Sequence, residues 1–208
     1  MVCIRGTARR WLEGYTRQGV FYSPVLRPEP IGRDSVTWGE MVEARLLSEF
    51  RDRRVPIQRL RPAIEQLRRE FGSYPLAQAR PFLEVDGREM VRIVQDQVGL
   101  ERTLMLVVVR NGQTVLSAET ERFRSLVDYD SNAVAGRLRP VERTPGVVMD
   151  PTRAFGQPVV RSVRTDVLAE DYRAGATREE LADLYELAPG QVDEALRFEL
   201  IAYRENAA

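Results

Sequence analysis

Apolar residues recur with a helical period at both ends of this chain and with a strand period in the middle. The segment T-W-G-E is a capping box, in which Thr37 and Glu40 cap a helix that ends near Arg53. Its apolar stripe comprises Met41, Val42, Leu46 and Phe50. A second amphipathic helix is predicted over residues 57–70, where Pro62 marks either a kink or a boundary.

The first helix is short and basic. In RGTARRWLEGY, Thr7 is a candidate N-cap for a helix that carries Arg9, Arg10 and Trp11 and ends near Gly14. The segment after it, GVFYSPVLRPEPIGRDS, is rich in proline and glycine and predicts a loop or a short hairpin. One interpretation is that the arginines of this helix contact DNA. The alternative is a solvated basic helix with its tryptophan in the core.

The middle of the chain is predicted to be a small antiparallel sheet over roughly residues 80–120. Asp86-Gly87 and Asn111-Gly112 each stand between strand-like runs, which is the pattern of a tight type I′ hairpin. The run over residues 104–109 is apolar enough to be a central strand. One or two further strands are expected before Val148.

The tail predicts three short helices with helix–turn–helix spacing. Leu168 and Tyr172 line the first helix, which Gly175 closes. Thr177 begins a second capping box, ahead of the stripe Leu181, Leu184 and Tyr185. Pro189 suits the first position of the last helix, whose stripe is Val192, Ala195, Leu196, Leu200 and Tyr203.

A glycine and proline motif, FGQPVVRSVRTD, precedes these helices. Gly156 and Pro158 predict a turn into a short strand, Val159 and Val160, which we expect to pair at a dimer or domain interface. Arg164 is then expected to be a structural anchor that bonds helix-end carbonyls or an acidic side chain of the bundle.

The composition argues against an enzyme. All 31 positive side chains are arginine, and the chain has no lysine, no histidine and one cysteine, Cys3. Schiff-base chemistry, an imidazole base and histidine metal ligands are therefore excluded, and we predict no catalytic residue, cofactor or metal. The sequence has no apolar run of about 18 residues, so we expect a cytoplasmic protein without a membrane span.

Charge is distributed unevenly along the chain. Residues 1–70 hold 14 arginines against 9 carboxylates, whereas residues 165–208 hold 4 against 11. Only the basic head gains from contact with phosphates, so the acidic helical tail is more suited to dimerisation or protein binding than to DNA. Four arginines between these parts either enter an acidic pocket on a partner or are solvated: Arg122, Arg124, Arg137 and Arg139.

The head, from RGTARRW to RVPIQRLRPAIEQLRREFG, resembles the DNA-binding head of MerR-type regulators, with a recognition helix, a wing and two further helices. It begins at the segment that corresponds to the recognition helix, so the resemblance covers a truncated head. The candidate DNA contacts are Arg5, Thr7, Arg9, Arg10, Arg17, Arg27 and Arg33.

The tail resembles a small prokaryotic domain of unknown function with a homeodomain-like three-helix bundle. Asp150, Pro151, Gly156, Pro158 and Arg164 match its pattern D-P-x-x-x-x-G-x-P-x-I-x-G-T-R. The chain departs from that pattern at residues 162–163, where Ser-Val replaces Gly-Thr. The interface candidates named above, Gly156, Pro158, Val159, Val160 and Arg164, lie in this segment.

The pairing of these two ends resembles VapB-type antitoxins of VapBC toxin–antitoxin systems. The fold class is predicted to be α+β, with a head over 1–75, a β region with a linker over 76–145, and a β element with a trihelical domain over 146–208. The resemblance implies a PIN-domain ribonuclease toxin, operator DNA and a second copy of the chain as partners, with the toxin-binding residues unassigned. The alternative is a stand-alone MerR-like transcriptional regulator with a ligand- or protein-sensing middle domain.

Overall fold

The computed structural model describes residues 5–32, 35–51 and 56–207 and has a mixed α+β fold, which confirms the predicted class. The chain divides into two compact units. Of the described residues, the head unit comprises those from 5 to 125 and 129–135, and the tail unit comprises 126–128 and 136–207. The predicted three-part division stays a prediction. No helix within the described ranges is long and apolar enough to cross a membrane.

The head unit begins with helix α1 (Arg5–Glu13), the hairpin strands β1 (Tyr15–Arg17) and β2 (Val20–Tyr22), and helix α2 (Trp38–Phe50). The capping box of α2 is confirmed, since Thr37 N–H donates to Glu40 Oε2 at 2.8 Å. The predicted cap of α1 is wrong, because that helix begins before Thr7 and places it inside the first turn.

Helix α3 (Arg61–Phe71) follows a 3-10 turn over Ile57–Leu60. Pro62 lies in the first turn of α3, where a missing N–H costs nothing. It therefore marks the helix boundary rather than a kink. Ile64 and Leu67 on this helix are fully buried, as the predicted stripe requires.

The hairpin predicted at Asp86-Gly87 is wrong. Those residues lie in helix α5 (Val85–Gln97), which follows the short helix α4 (Arg80–Leu83). A Cβ on Gly87 would lie 2.0 Å from the carbonyl oxygen of Arg80, so the glycine permits close packing of α5 on α4. Asp86 lies in the first turn of α5, where its carboxylate is favourable to the helix dipole.

The Asn111-Gly112 hairpin is confirmed. Strands β3 (Val107–Arg110) and β4 (Gln113–Leu116) pair antiparallel, with φ of 51° at Asn111 and 76° at Gly112. Among the described residues this sheet has two strands, neither of which is central, so the central strand predicted over 104–109 is wrong. The buried Gln95 of α5 holds β3, since its side chain donates to Val107 O at 3.0 Å and accepts from Leu106 N–H at 2.7 Å.

Helix α6 (Ala118–Ser125) completes the helices of the head unit. Its Phe123 meets Phe82 edge to face, with ring centroids 6.3 Å apart, and both side chains are buried. The strands β5 (Val127–Tyr129) and β6 (Ala135–Leu138) pair next, and the chain passes from one unit to the other within each of them. The strands expected before Val148 are thereby confirmed.

The tail unit packs a small sheet against three helices. Strands β7 (Val147–Val148), β8 (Val159–Val160) and β9 (Val163–Arg164) pair antiparallel in that order. The helices that follow are α7 (Thr165–Arg173), α8 (Arg178–Leu184) and α9 (Pro189–Ala207), as predicted. Their shared core includes Val147, Val160, Leu168, Leu181, Val192, Ala195 and Phe198.

The capping box at Thr177 and the helix-opening position of Pro189 are confirmed. The prediction that Leu184 and Leu200 belong to the apolar stripes of their helices is wrong, because these side chains are 68% and 63% exposed. The side chain of Tyr203 lies outside the described residues. Helix α9 therefore presents an apolar residue to solvent on a face that the sequence assigned to the core.

Strand β8 does not have a free edge. It lies between β7 and β9, and Val159 and Val160 are buried in the tail unit itself. The dimer alternative of the prediction that these valines pair at a dimer or domain interface is therefore contradicted, since both sides of the strand already have backbone partners within the tail unit, while the domain-interface alternative stays a prediction. Arg164 Nε donates a hydrogen bond to Asp166 Oδ1 at 2.9 Å. Asp166 lies on α7, so this partner is an acidic side chain of the bundle, as expected for Arg164.

Candidate nucleic-acid interface

Helix α1 is fixed by its buried face. Trp11 and Leu12 are buried, and the carbonyl oxygen of Trp11 accepts hydrogen bonds from Val25 N–H at 2.8 Å and Leu26 N–H at 2.9 Å. Arg9 and Arg10 lie on the opposite, exposed side of the helix. The tryptophan therefore belongs to the core and the two arginines to the surface.

The β1–β2 hairpin stands directly beside this helix. Its turn uses Gln18 and Gly19 at φ of 51° and 76°, the left-handed pair of a type I′ hairpin. The rings of Tyr15 and Tyr22 stack with centroids 4.9 Å apart, and the Arg10 guanidinium lies 5.7 Å from the Tyr15 centroid. The stacked pair thus orients an arginine between the helix and the hairpin.

A groove of about 630 Å³ lies between α1, the hairpin and the start of the 3-10 turn. Its lining includes Thr7, Arg10, Tyr15, Arg17, Arg51 and Gln58. Within the described residues, no carboxylate pairs with Arg9, Arg10 or Arg17. Arginine recognises phosphate and guanine through its planar fork of N–H donors, so the groove suits an anionic polymer.

Arg27 does not belong to this surface. It is 3% exposed, and its Nε donates to Glu40 Oε1 at 2.7 Å while Nη2 donates to the Ser35 carbonyl at 2.7 Å. It also forms an ion pair with Glu13 at the end of α1. The expectation that Arg27 contacts DNA is therefore wrong, because its donors are committed inside the fold.

The Arg27 cluster joins three segments of the head. Glu13 Oε2 accepts hydrogen bonds from Ile31 N–H at 3.0 Å and Gly32 N–H at 2.8 Å, while Glu40 caps α2. Burial raises the pKa of Glu40, but hydrogen bonds from Arg27 and Thr37 outweigh it, so the net pKa is lowered. The cluster fixes α1 relative to α2 and so positions the exposed arginines.

The remaining candidates differ in their placement. Thr7 is partly buried in the groove. Arg5 begins α1, but its side chain lies outside the described residues, as does the whole of Arg33. Sequence reasoning missed Arg51 and Gln58, which lie far from α1 along the chain and reach the groove only through packing.

The four arginines of the middle region are engaged within the chain. Arg122 bonds Glu49 at 3.1 Å, and Arg124 bonds Glu121 at 3.0 Å. Arg137 and Arg139 bond Asp150 at 3.2 Å and Asp128 at 2.8 Å. Among the residues that the structure describes, no group of three acidic or cysteine side chains is placed to hold a metal.

The comparisons with known proteins cover both units. The family "Protein of unknown function (DUF433)" matches residues 147–198, within the tail unit. "Uncharacterized protein Rv2308" of Mycobacterium tuberculosis is 40% identical over 202 residues, which are 93% of this chain and 83% of that protein. The chain belongs to the family of Rv2308. The family also includes "Putative antitoxin VapB45" of the same organism, 31% identical over 94% of this chain and 88% of that protein.

The fold is similar to a solved member from the same organism. The crystal structure of RV2018 from Mycobacterium tuberculosis has a TM-score of 0.67 and 30% sequence identity, and the match covers 83% of this chain and 85% of that one. The name of one family member thus supports an antitoxin-like protein, and neither named relative carries an enzymatic activity in its name.

Proposed function

We propose that this chain is a cytoplasmic antitoxin that binds and neutralises a PIN-domain ribonuclease toxin and represses its own operon through the head. The observation that carries the proposal is the similarity to "Putative antitoxin VapB45", which extends over 94% of the chain and so includes both units. A VapB-type antitoxin has a ribonuclease partner, and the composition favours binding over catalysis.

The DNA-binding part of the proposal rests on the groove beside α1. Exposed arginines stand on the helix and on the hairpin, in the order of helix, wing and two helices that a MerR-like head has. Phosphate contacts from such side chains provide most of the affinity of a DNA-binding protein, and contacts to base edges add specificity. Val20 and Phe21, which are 56% and 54% exposed on the hairpin, can pack on sugar or base surfaces.

Replacing Arg9 and Arg10 together with alanine is expected to weaken binding to the operon's promoter DNA by about 10–100-fold, since each lost phosphate or base contact is worth roughly 1 kcal/mol or more. Both side chains are exposed, so the fold should be retained. Titration of labelled promoter DNA at several salt concentrations measures the affinity and the reduced salt dependence.

The matched control is Arg110→Ala, an exposed arginine on the β3–β4 hairpin of the same unit. It removes one positive charge, half of the charge that the double variant loses, at a position distant in sequence from the groove. Equal loss of affinity in both proteins would indicate a non-specific charge effect and would contradict the placement of the DNA site. Unchanged binding by the double variant would do so as well.

Toxin neutralisation is tested with the ribonuclease that the proposal expects to be encoded beside this gene. We expect a stable complex on co-expression, and loss of RNA cleavage when the chain is added at an equal molar amount. A toxin that is inactivated by a carboxylate-to-amide substitution should still bind the chain. Because this variant does not harm the host, complex formation can be measured independently of growth. Full cleavage in the presence of excess chain, with no complex on gel filtration, would refute the antitoxin proposal.

A stand-alone regulator is the second candidate, and one cavity favours it. A pocket of about 700 Å³ in the head unit is lined by residues of α4, α5, the β3–β4 hairpin and α6, with both apolar and charged side chains. However, Arg88 in this pocket already donates to the carbonyls of Phe82 and Leu83 at 3.0 Å. A small effector that alters promoter binding, at a locus without a neighbouring ribonuclease, would favour this reading.

A further inference from the structure

The loop before β8 holds an aromatic side chain out in solvent. Three consecutive residues adopt left-handed backbone, with φ of 44° at Ala154, 53° at Phe155 and 75° at Gly156. Only the glycine does so without a steric cost. The side chain of Phe155 is fully exposed to solvent. The chain thus maintains an unfavourable backbone around a phenyl group that no other described residue covers.

The same unit carries an apolar groove between α7 and α9. It is lined by Ala169, Tyr172, Arg173, Leu196, Glu199 and Leu200 and has a volume of about 350 Å³, which exceeds that of a phenyl side chain. Tyr172 and Leu200 are 43% and 63% exposed at its edges. An exposed aromatic side chain and an open apolar groove on one molecule are the two halves of a self-association contact.

Charge favours a second copy of this chain as the occupant. The strand-bearing segment, residues 136–164, has six arginines against two carboxylates, whereas the helical segment, residues 165–208, has four against eleven. At the contact itself, the half-exposed Arg153, which pairs with Asp150 at 3.8 Å, precedes the phenyl group by two residues. Both Glu199 and Arg173 line the groove, so the attraction comes from the net charges of the two segments. The strand segment of one copy and the helical segment of another therefore attract each other.

We propose that two copies associate by reciprocal exchange, with Phe155 of each copy inserted in the α7–α9 groove of the other. A contact used in only one direction would leave an open phenyl group and an open groove and would propagate into chains, whereas reciprocal use closes a two-fold dimer. The inference concerns the second copy of the chain that the resemblance to VapB-type antitoxins implies as a partner, and it identifies the contact surface. It is independent of toxin and DNA binding.

The test is the oligomeric state of the full chain without toxin or DNA, measured by sedimentation equilibrium. The wild type is expected to dimerise, and Phe155→Ala is expected to weaken dimerisation by about 100-fold, since two buried aromatic anchors are lost per dimer. Leu200→Asp, in the groove, should have a similar effect. Leu184→Ala removes an equally exposed leucine of the bundle that does not line the groove, and it should dimerise as the wild type does.

Unfolding midpoints of each variant provide the fold control, and Phe155→Gly is a second variant that relaxes the left-handed position while removing the ring. A wild type that is monomeric at high concentration, or a Phe155→Ala protein that dimerises as tightly as the wild type, would overturn the inference. A monomer that still inhibits the toxin would overturn it and leave the proposed function intact. A dimer of the expected kind that neither binds the toxin nor protects RNA would support the inference and contradict the proposed function.

Discussion

Replacing Arg27 with alanine is expected to lower the free energy of unfolding by about 3–5 kcal/mol, the usual cost of removing one partner of a buried ion pair. The side chains of Arg27 and Glu40 are 4% and 6% exposed, and that of Glu13 is 16% exposed. Without the guanidinium, two carboxylates remain close together in a poorly solvated site. The same change also removes the bond to the Ser35 carbonyl.

Chemical denaturation at neutral pH measures this loss, and Arg110→Ala again provides the exposed control, with an expected change below about 0.5 kcal/mol. Arg27→Lys should recover little, because an ammonium group does not reproduce the forked contact with Glu40. A loss below about 1 kcal/mol for Arg27→Ala would mean that the cluster is solvated in the native state.

A second large effect is expected from Glu43→Gln, which should remove most of the pH dependence of stability between about pH 5 and 9. Glu43 is fully buried on α2, where Oε1 accepts a hydrogen bond from Leu76 N–H at 3.0 Å. Its Oε2 has no hydrogen-bond partner in the described part of the chain. Burial raises the pKa of the Glu43 carboxyl to about 8, partly offset by the Leu76 bond and by the charge of Arg68.

The direction follows from proton binding. Between its unfolded pKa near 4.5 and its folded pKa near 8, the carboxyl binds more protons in the native state, so the free energy of unfolding falls as pH rises. The full loss corresponds to roughly 4–5 kcal/mol, at about 1.4 kcal/mol for each unit of pKa. The stabilisation by the protonated Glu43 carboxyl is present in full below the unfolded pKa, falls as the pH rises, and is fully lost once the pH passes the folded pKa.

The chain is well suited to this measurement, because it has no histidine to titrate in the same window. Urea unfolding at half-unit pH steps should give a falling curve for the wild type and a nearly flat one for Glu43→Gln. Glu84→Gln, which changes a carboxylate that is 53% exposed, is the matched control and should follow the wild type. Parallel curves for wild type and Glu43→Gln would show that the Glu43 carboxyl is ionised in the native state.

Local signals in the sequence predicted the fold well where a side chain bonds its own backbone neighbours. Both capping boxes, at Thr37 and Thr177, are present as the sequence requires. The Asn111-Gly112 turn is also correct, because both residues tolerate the left-handed backbone that a type I′ turn needs. Each of these interactions closes within four residues and needs no partner from a distant part of the chain.

The same dipeptide logic failed at Asp86-Gly87 because the role of Gly87 is tertiary. Gly87 is needed because α5 approaches the carbonyl oxygen of Arg80 closely, where a side chain would not fit. The hairpin prediction instead assumed that the glycine provides the left-handed backbone of a turn. The helical spacing of the buried Val91 and Val94 is the signal that outweighs it. The prediction that Arg27 contacts DNA failed for a related reason. Glu13 precedes Arg27 in the chain and Glu40 follows it, and only tertiary packing brings both carboxylates to the guanidinium.

Residues 129–135 return to the head unit after the chain has already entered the tail unit. Within the head unit, Ala133 O accepts a hydrogen bond from Ala79 N–H at 2.8 Å, and Ala135 O accepts one from the Trp38 indole. No single cut in the gene therefore yields both units intact, since a fragment ending at Ser125 lacks this returning segment. In a chimera that joins the head of one relative to the tail of another, the junction has to lie after Ala135. Only then does the head keep the backbone hydrogen-bond partners of its own chain.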